Sequence, residues 1–173
     1  MDISNLQDRQ EPIKVALYLR VSSEEQVEKY GLELQKECLV NYIKSKGVIM
    51  SGPRMGEPLY QVIKEEYIDD DVSGTIPHLE RPAFAKMMED YSYADEDDKP
   101  FELVAVYKID RLARRLKILL DITTLFDSIG LQFASATESI DTSTPFGQAM
   151  LGILGLNEIL RWFFSWFSLI YSI

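Results

Sequence analysis

One cysteine, Cys38, and one histidine, His78, are all the thiol and imidazole that 173 residues contain. A single cysteine excludes an intramolecular disulfide, and the two residues together cannot build a zinc site. This usage suits a reducing compartment, and no basic-plus-apolar leader opens the sequence, so a cytoplasmic protein is expected. Basic residues are also in short supply, with 18 lysines and arginines against 28 aspartates and glutamates, for a net charge of −10. That balance works against gripping nucleic acid by bulk electrostatics. Much of the acidity is concentrated, however. Glu89, Asp90, Asp95, Glu96, Asp97 and Asp98 crowd one stretch, and setting them aside leaves −4. A locally cationic site is compatible with that distribution. With 46% hydrophobic and 27% charged residues the chain is an ordinary globular one, long enough to bury a core without staples.

Residues 1–12 are polar and aperiodic and read as a loose arm. Apolar runs at Val15–Leu19, Val62–Ile68, Leu103–Tyr107 and Leu131–Ser135 read as four strands. Helical spacing recurs over 34–46 with Gly47 to stop it, over 82–91 behind Pro82, and over 111–129 up to Gly130. A last helix opens at Thr144-Pro145, and the segment 50–60, with two glycines and two prolines, reads as an exposed loop. Strand and helix alternate throughout. The expected fold is therefore α/β, a mostly parallel central sheet flanked by helices, with any ligand site beyond the carboxyl ends of the strands.

Three loops leave strands at that end. The first carries Arg20 and Ser22, a hydroxyl beside a cation, which suits a nucleophile or an anion site but equally suits a turn. No Gly-x-Ser-x-Gly elbow surrounds Ser22, and a Ser-His-Asp hydrolase would depend wholly on His78, so that class is disfavoured. The second loop carries Asp69-Asp70-Asp71, open to reading as a magnesium site or as a turn. Arg81 follows at a helix start. The third carries Asp110, Arg111 and Arg114; one helical turn would point Asp110 and Arg114 the same way, and guanidinium groups hold phosphate in a fork.

Five motifs then occur in one order: Arg20-Val21-Ser22-Ser23-x-x-Gln26, Val72-Ser73-Gly74, Glu80-Arg81-Pro82, Tyr107-Lys108-Ile109-Asp110-Arg111-Leu112-x-Arg114, and Glu138-Ser139-Ile140-Asp141-Thr142-x-Thr144-Pro145-x-Gly147. Over residues 13–155 the chain resembles the catalytic domain of the serine site-specific recombinases, the resolvase/invertase family. Gly31-Leu32-Glu33-Leu34-Gln35 and the run from Glu138 to Gly147 look most like the large serine integrases and conjugative-transposon recombinases. The resemblance implies that Ser22 attacks a DNA phosphodiester to give a 5′-phosphoserine link. It implies active-site roles for Arg20, Arg81, Asp110, Arg111 and Arg114, and supporting roles for Gln26, Gln35, Asp70 and Ser73. It implies no cofactor and no metal, because arginines replace the metal in stabilising the transition state. The partners it implies are DNA, a second copy of the chain, and a tetramer in the synaptic complex, with no membrane.

Two alternatives stand beside that reading: a magnesium-dependent phosphoryl-transfer protein using Asp69 to Asp71, and a non-catalytic assembly module. After Gly155 the aromatic run to Ile173 departs from the family pattern. It is expected to be a frameshifted or cloning-derived tail, with a partner-binding helix as the second account; twelve residues after Arg161 are too few to span a bilayer. No room is left for a DNA-reading module, so weak, unselective DNA binding is expected. Phe146, Met150, Ile153 and Leu154 fall on one helical stripe, expected to be exposed and to form the dimer interface.

Overall fold

The computed structural model describes residues 11–22, 31–95, 98–138, 140–144, 146–150 and 152–153. Its elements are β1 (Ile13–Arg20), α1 (Leu32–Ser45), β2 (Tyr60–Asp69), a 3-10 turn (His78–Glu80), α2 (Pro82–Tyr93), β3 (Leu103–Val106), α3 (Ile109–Leu112), α4 (Leu116–Ser128) and β4 (Gln132–Ser135). The four strands form one parallel sheet in the order β2-β1-β3-β4. This is the α/β architecture expected; β1 and β2 extend past the apolar runs that predict them, and β3 and β4 each fall one residue short of theirs.

Alternation along the strands assigns the two faces. Ile13, Val15, Leu17, Leu19, Leu103, Ala105 and Ala134 pack under α1, against Leu39 and Ile43. Ala16, Tyr18, Val104, Val106 and Phe133 point the other way, into a larger core beneath α2 and α4. Phe84 of α2 stacks on Phe126 of α4, their ring centres 6.0 Å apart, and Tyr18 meets Phe84 edge-on at 5.6 Å. The chain leaves α4 through Gly130 at φ +71°, where Leu131 N–H reaches back to Phe126 O, a closure that glycine alone adopts without strain.

Three expectations need correcting. The helix read over 111–129 is broken: Ala113 and Arg115 are extended, separating α3 from α4. Asp110 and Arg114 therefore do not share a helical turn. The leucine periodicity through Leu112, Leu116 and Leu119 hides this break, because both pieces bury leucines in the same core. Pro12, assigned to the loose arm, is buried; residues 1–10 lie outside the described residues. The C-terminal stripe is divided. Phe146 and Ile153 are 67% and 52% exposed, but Met150 is half-buried against the α2–α4 core, and Leu154 lies outside the described residues. Thr144 does cap this last helical segment, its Oγ1 accepting Gly147 N–H at 3.1 Å.

The stacked pair ties α2 to α4 across the larger core. Phe126→Ala should cost about 3–5 kcal/mol of unfolding free energy in urea titration; a loss below about 1 kcal/mol would show that the core does not depend on it.

Candidate active site

The carboxyl ends of β1, β2 and β3 lie together at one end of the sheet, with Arg20 opposite Asp69 and Leu17 opposite Ala105. The loops leaving β1 and β2 are stitched to each other, since Val21 N–H donates to Asp69 O and Val72 N–H to Val21 O. Ser22, next along, is 7% exposed. Arg114, from the break between α3 and α4, donates from Nη2 to Ser22 Oγ at 3.4 Å. The candidate nucleophile thus sits at the strand end with a guanidinium against it.

Arg20 and Arg81 are completely buried. Arg20 donates from Nε to Arg111 O (3.0 Å), from Nη1 to Val72 O (2.7 Å) and from Nη2 to Asp110 O (2.8 Å). Arg81 donates from Nε and Nη2 to Ile76 O, from Nη2 to Gly74 O (3.1 Å) and from Nη1 to Leu112 O. Each guanidinium therefore bridges the loop after β2 to the loop after β3. The bond to Leu112 O takes a carbonyl that a continuing helix would use, and Arg114 N–H donates to Gly74 O rather than back along a helix. These bonds account for the break that separates α3 from α4. Gly74 is confined by the same pair of loops. A Cβ there would lie 2.9 Å from Arg20 Nη2 and from Arg114 Cγ, so any side chain would push the arginine beside Ser22.

Asp69 ends β2 and is buried. Its carboxylate accepts the Tyr18 hydroxyl (2.8 Å) and the N–H groups of Ala83 (2.8 Å) and Phe84 (3.3 Å). Burial first, and then the Asp69 charge, push the Tyr18 phenol above its ordinary range, so it stays a neutral donor. Arg81 precedes α2 and offers no capping side chain of its own; Asp69 caps the helix from the neighbouring strand and so seats Arg81. This role was missed from sequence, where Asp69 counts as a metal ligand. Arginine before an N1 proline was the available signal: such a helix must find its cap elsewhere.

The remaining expected residues are placed as follows. Arg111 is buried, its Nε 3.6 Å from Asp110 Oδ1. Gln35, on α1, is buried and donates to Arg20 O at 3.2 Å, fixing the end of β1. Ser73 braces its own loop through Thr75 Oγ1 at 3.0 Å. Asp70 is exposed, and Gln26 lies outside the described residues. Asp69, tied to α2, is not available to a cation, and no group of three His, Cys, Asp or Glu side chains among the described residues can hold a metal. His78 packs its ring edge-on to Phe84 at 5.3 Å, and burial followed by Arg81 lowers its pKa.

Asp69→Ala would leave a buried hydroxyl, the buried Phe84 N–H and the half-buried Ala83 N–H without this acceptor. At about 1–3 kcal/mol for each such group, we expect a destabilisation of ~3 kcal/mol in chemical denaturation; a change below about 0.5 kcal/mol would contradict the capping role.

The family described as "Resolvase, N terminal domain" matches residues 15–160. The chain is similar to the N-terminal catalytic domain of TP901-1 integrase, at 33% identity and TM-score 0.66, covering 86% of this chain and 96% of that one. It is similar to a resolvase family site-specific recombinase from Streptococcus pneumoniae, at 26% identity and TM-score 0.62, covering 91% and 93%. Among curated proteins it is 32% identical over 98 residues to the serine recombinase gin of Escherichia phage Mu, covering 56% of this chain and 46% of that one. The chain spans under half the length of the curated relatives it matches, from 22% to 48%. With that match over most of its length, the chain belongs to the resolvase N-terminal domain family and has the fold of a serine recombinase catalytic domain.

Proposed function

We propose that this chain is the catalytic domain of a site-specific DNA recombinase that cleaves through a phosphoserine intermediate, in DNA integration or excision. The observation that carries the reading is the placement of Ser22 directly beyond β1 with the Arg114 guanidinium on its Oγ. In the proposed step Ser22 Oγ attacks phosphorus, the Oγ–P bond forms and the P–O3′ bond breaks. The serine gives up its proton and the departing 3′ oxygen takes one. Attack by a 3′-hydroxyl on the phosphoserine reverses the step and rejoins a strand. Arg111 and Arg114 receive the charge that builds on the phosphoryl oxygens, with Asp110 beside Arg111 to orient it. Arg20 and Arg81, whose donors meet carbonyls, hold the loops on which those groups stand. Gln35 steadies the end of β1, Ser73 braces its loop, and Gln26 and Asp70 complete the polar surround.

The proposed catalytic unit is residues 13–155, with 156–173 a tail. Sequence-specific grip on DNA is assigned to parts of the protein outside this unit, in keeping with its net charge of −10. The names of the relatives, recombinases and invertases of phages, favour a mobile element acting on DNA in the cytoplasm. No helix among the described residues is long and apolar enough to cross a membrane. Self-association, as a dimer that pairs into a tetramer, is assigned to the exposed Phe146 and Ile153 on the last helical segment, together with Leu154. Met150, being half-buried, contributes to the domain's own packing.

Two experiments test this. The full-length protein, incubated in chelator with DNA carrying its recombination site, should form a covalent adduct at the 5′ end that is abolished in Ser22→Ala. Cleavage that disappears on chelation, or an adduct that survives the substitution, would overturn the mechanism. Sedimentation should show a concentration-dependent dimer that Phe146→Asp or Ile153→Asp shifts to monomer while the circular dichroism spectrum is unchanged. A wild-type chain that stays monomeric at high micromolar concentration would refute the interface.

A further inference from the structure

We propose that Glu138 is a positioning residue for strand cleavage, holding the turn that carries Asp110 and Arg111; the inference rests on the recombinase reading. That turn, α3, is only four residues long and cannot hold its shape unaided. Its carbonyls are fixed from one side, those of Asp110 and Arg111 by Arg20 and that of Leu112 by Arg81. Its opening is closed by one backbone bond, from Arg111 N–H to Lys108 O at 3.0 Å. Lys108, the residue before it, is extended and supplies no capping side chain. The N–H of Ile109 is taken instead by Glu138 Oε2 at 3.2 Å, from the segment that follows β4.

The sheet brings this carboxylate to the turn. β3 and β4 are adjacent and in register, Val106 opposite Ser135, and Ala136 N–H continues the ladder to Val106 O. Glu138 is then oriented by its own neighbours, since Ser135 Oγ and Thr137 Oγ1 (2.9 Å) both donate to the oxygen that accepts Ile109 N–H. Three donors converge on one carboxylate oxygen. Two of them aim it, and the third belongs to the loop that presents Asp110 and Arg111.

Glu138 itself is exposed. Its removal costs the buried Ser135 hydroxyl an acceptor and so lowers stability, while leaving the domain folded and loosening the turn. Displacement of a reacting group by ~1 Å can cost about 100-fold in rate.

The test uses the full-length protein and single-turnover formation of the covalent adduct at saturating DNA. Glu138→Ala should slow adduct formation by at least about tenfold, with DNA affinity essentially unchanged and the domain still folded at the assay temperature. Glu138→Gln, whose amide oxygen still accepts Ile109 N–H, should recover part of the rate. In an Arg111→Lys background Glu138→Ala should slow the reaction by less than about twofold, because the two changes act on the same group. A residue with a merely structural role would multiply with Arg111→Lys. Adduct formation by Glu138→Ala at the wild-type rate, or full multiplicativity in the double variant, would overturn the positioning role alone. Absence of adduct from the wild-type protein would overturn the recombinase reading beneath it.

Discussion

Two guanidinium groups, wholly buried and bonded to backbone carbonyls, hold this site together. A buried cation is costly unless its donors are satisfied, and arginine cannot escape the cost by losing its proton. Arg20 and Arg81 meet the requirement with carbonyls from two loops that otherwise meet through the bond from Arg114 N–H to Gly74 O. The loop after β2 offers Val72, Gly74 and Ile76; the loop after β3 offers Asp110, Arg111 and Leu112. Satisfying the arginines therefore brings the loops into contact, interrupts the helix between Leu112 and Leu116, and delivers Arg114 to Ser22. Asp69 extends the same logic to α2, where its carboxylate serves the helix that begins just after Arg81.

The four strands and the helices over α1 and α2 were legible in the sequence because periodicity and burial agree there. Val15 to Leu19 is apolar on both faces and is covered on both faces. The break between α3 and α4 was not legible. Local propensity favours one continuous helix, and it is overridden by long-range bonds from residues some 30 to 90 positions earlier in the chain. The site was legible in its residue types but not in its division of labour. Four arginines and a serine suggest a ring of cations around phosphate, yet burial separates two that frame the loops from Arg114, which meets the serine. Asp69 illustrates the same limit, since a carboxylate at a strand end looks alike whether it awaits a cation or a helix.

A second polar centre sits under α1. Lys46, just past the end of that helix, is ion-paired with Asp141 and lies 5.0 Å over the rings of both Tyr42 and Tyr60. Burial opposes its charge, but Asp141 outweighs burial and holds its pKa above the ordinary value. Asp141 also accepts Ser143 N–H at 2.9 Å, and its own backbone oxygen lies where any Gly147 side chain would have to go. The root of the last helical segment is therefore anchored to the domain, whereas Phe146 and Ile153 farther along face outward.

The arginine frame is tested most directly by nitrogen-15 NMR of the guanidinium Nε–H groups in the unliganded protein. Hydrogen bonds to buried carbonyls should make the Nε–H protons of Arg20 and Arg81 exchange with water far more slowly than that of the exposed Arg115. Exchange at Arg20 and Arg81 as fast as at Arg115 would contradict the account, because the loops around Ser22 would then have to be held by something else.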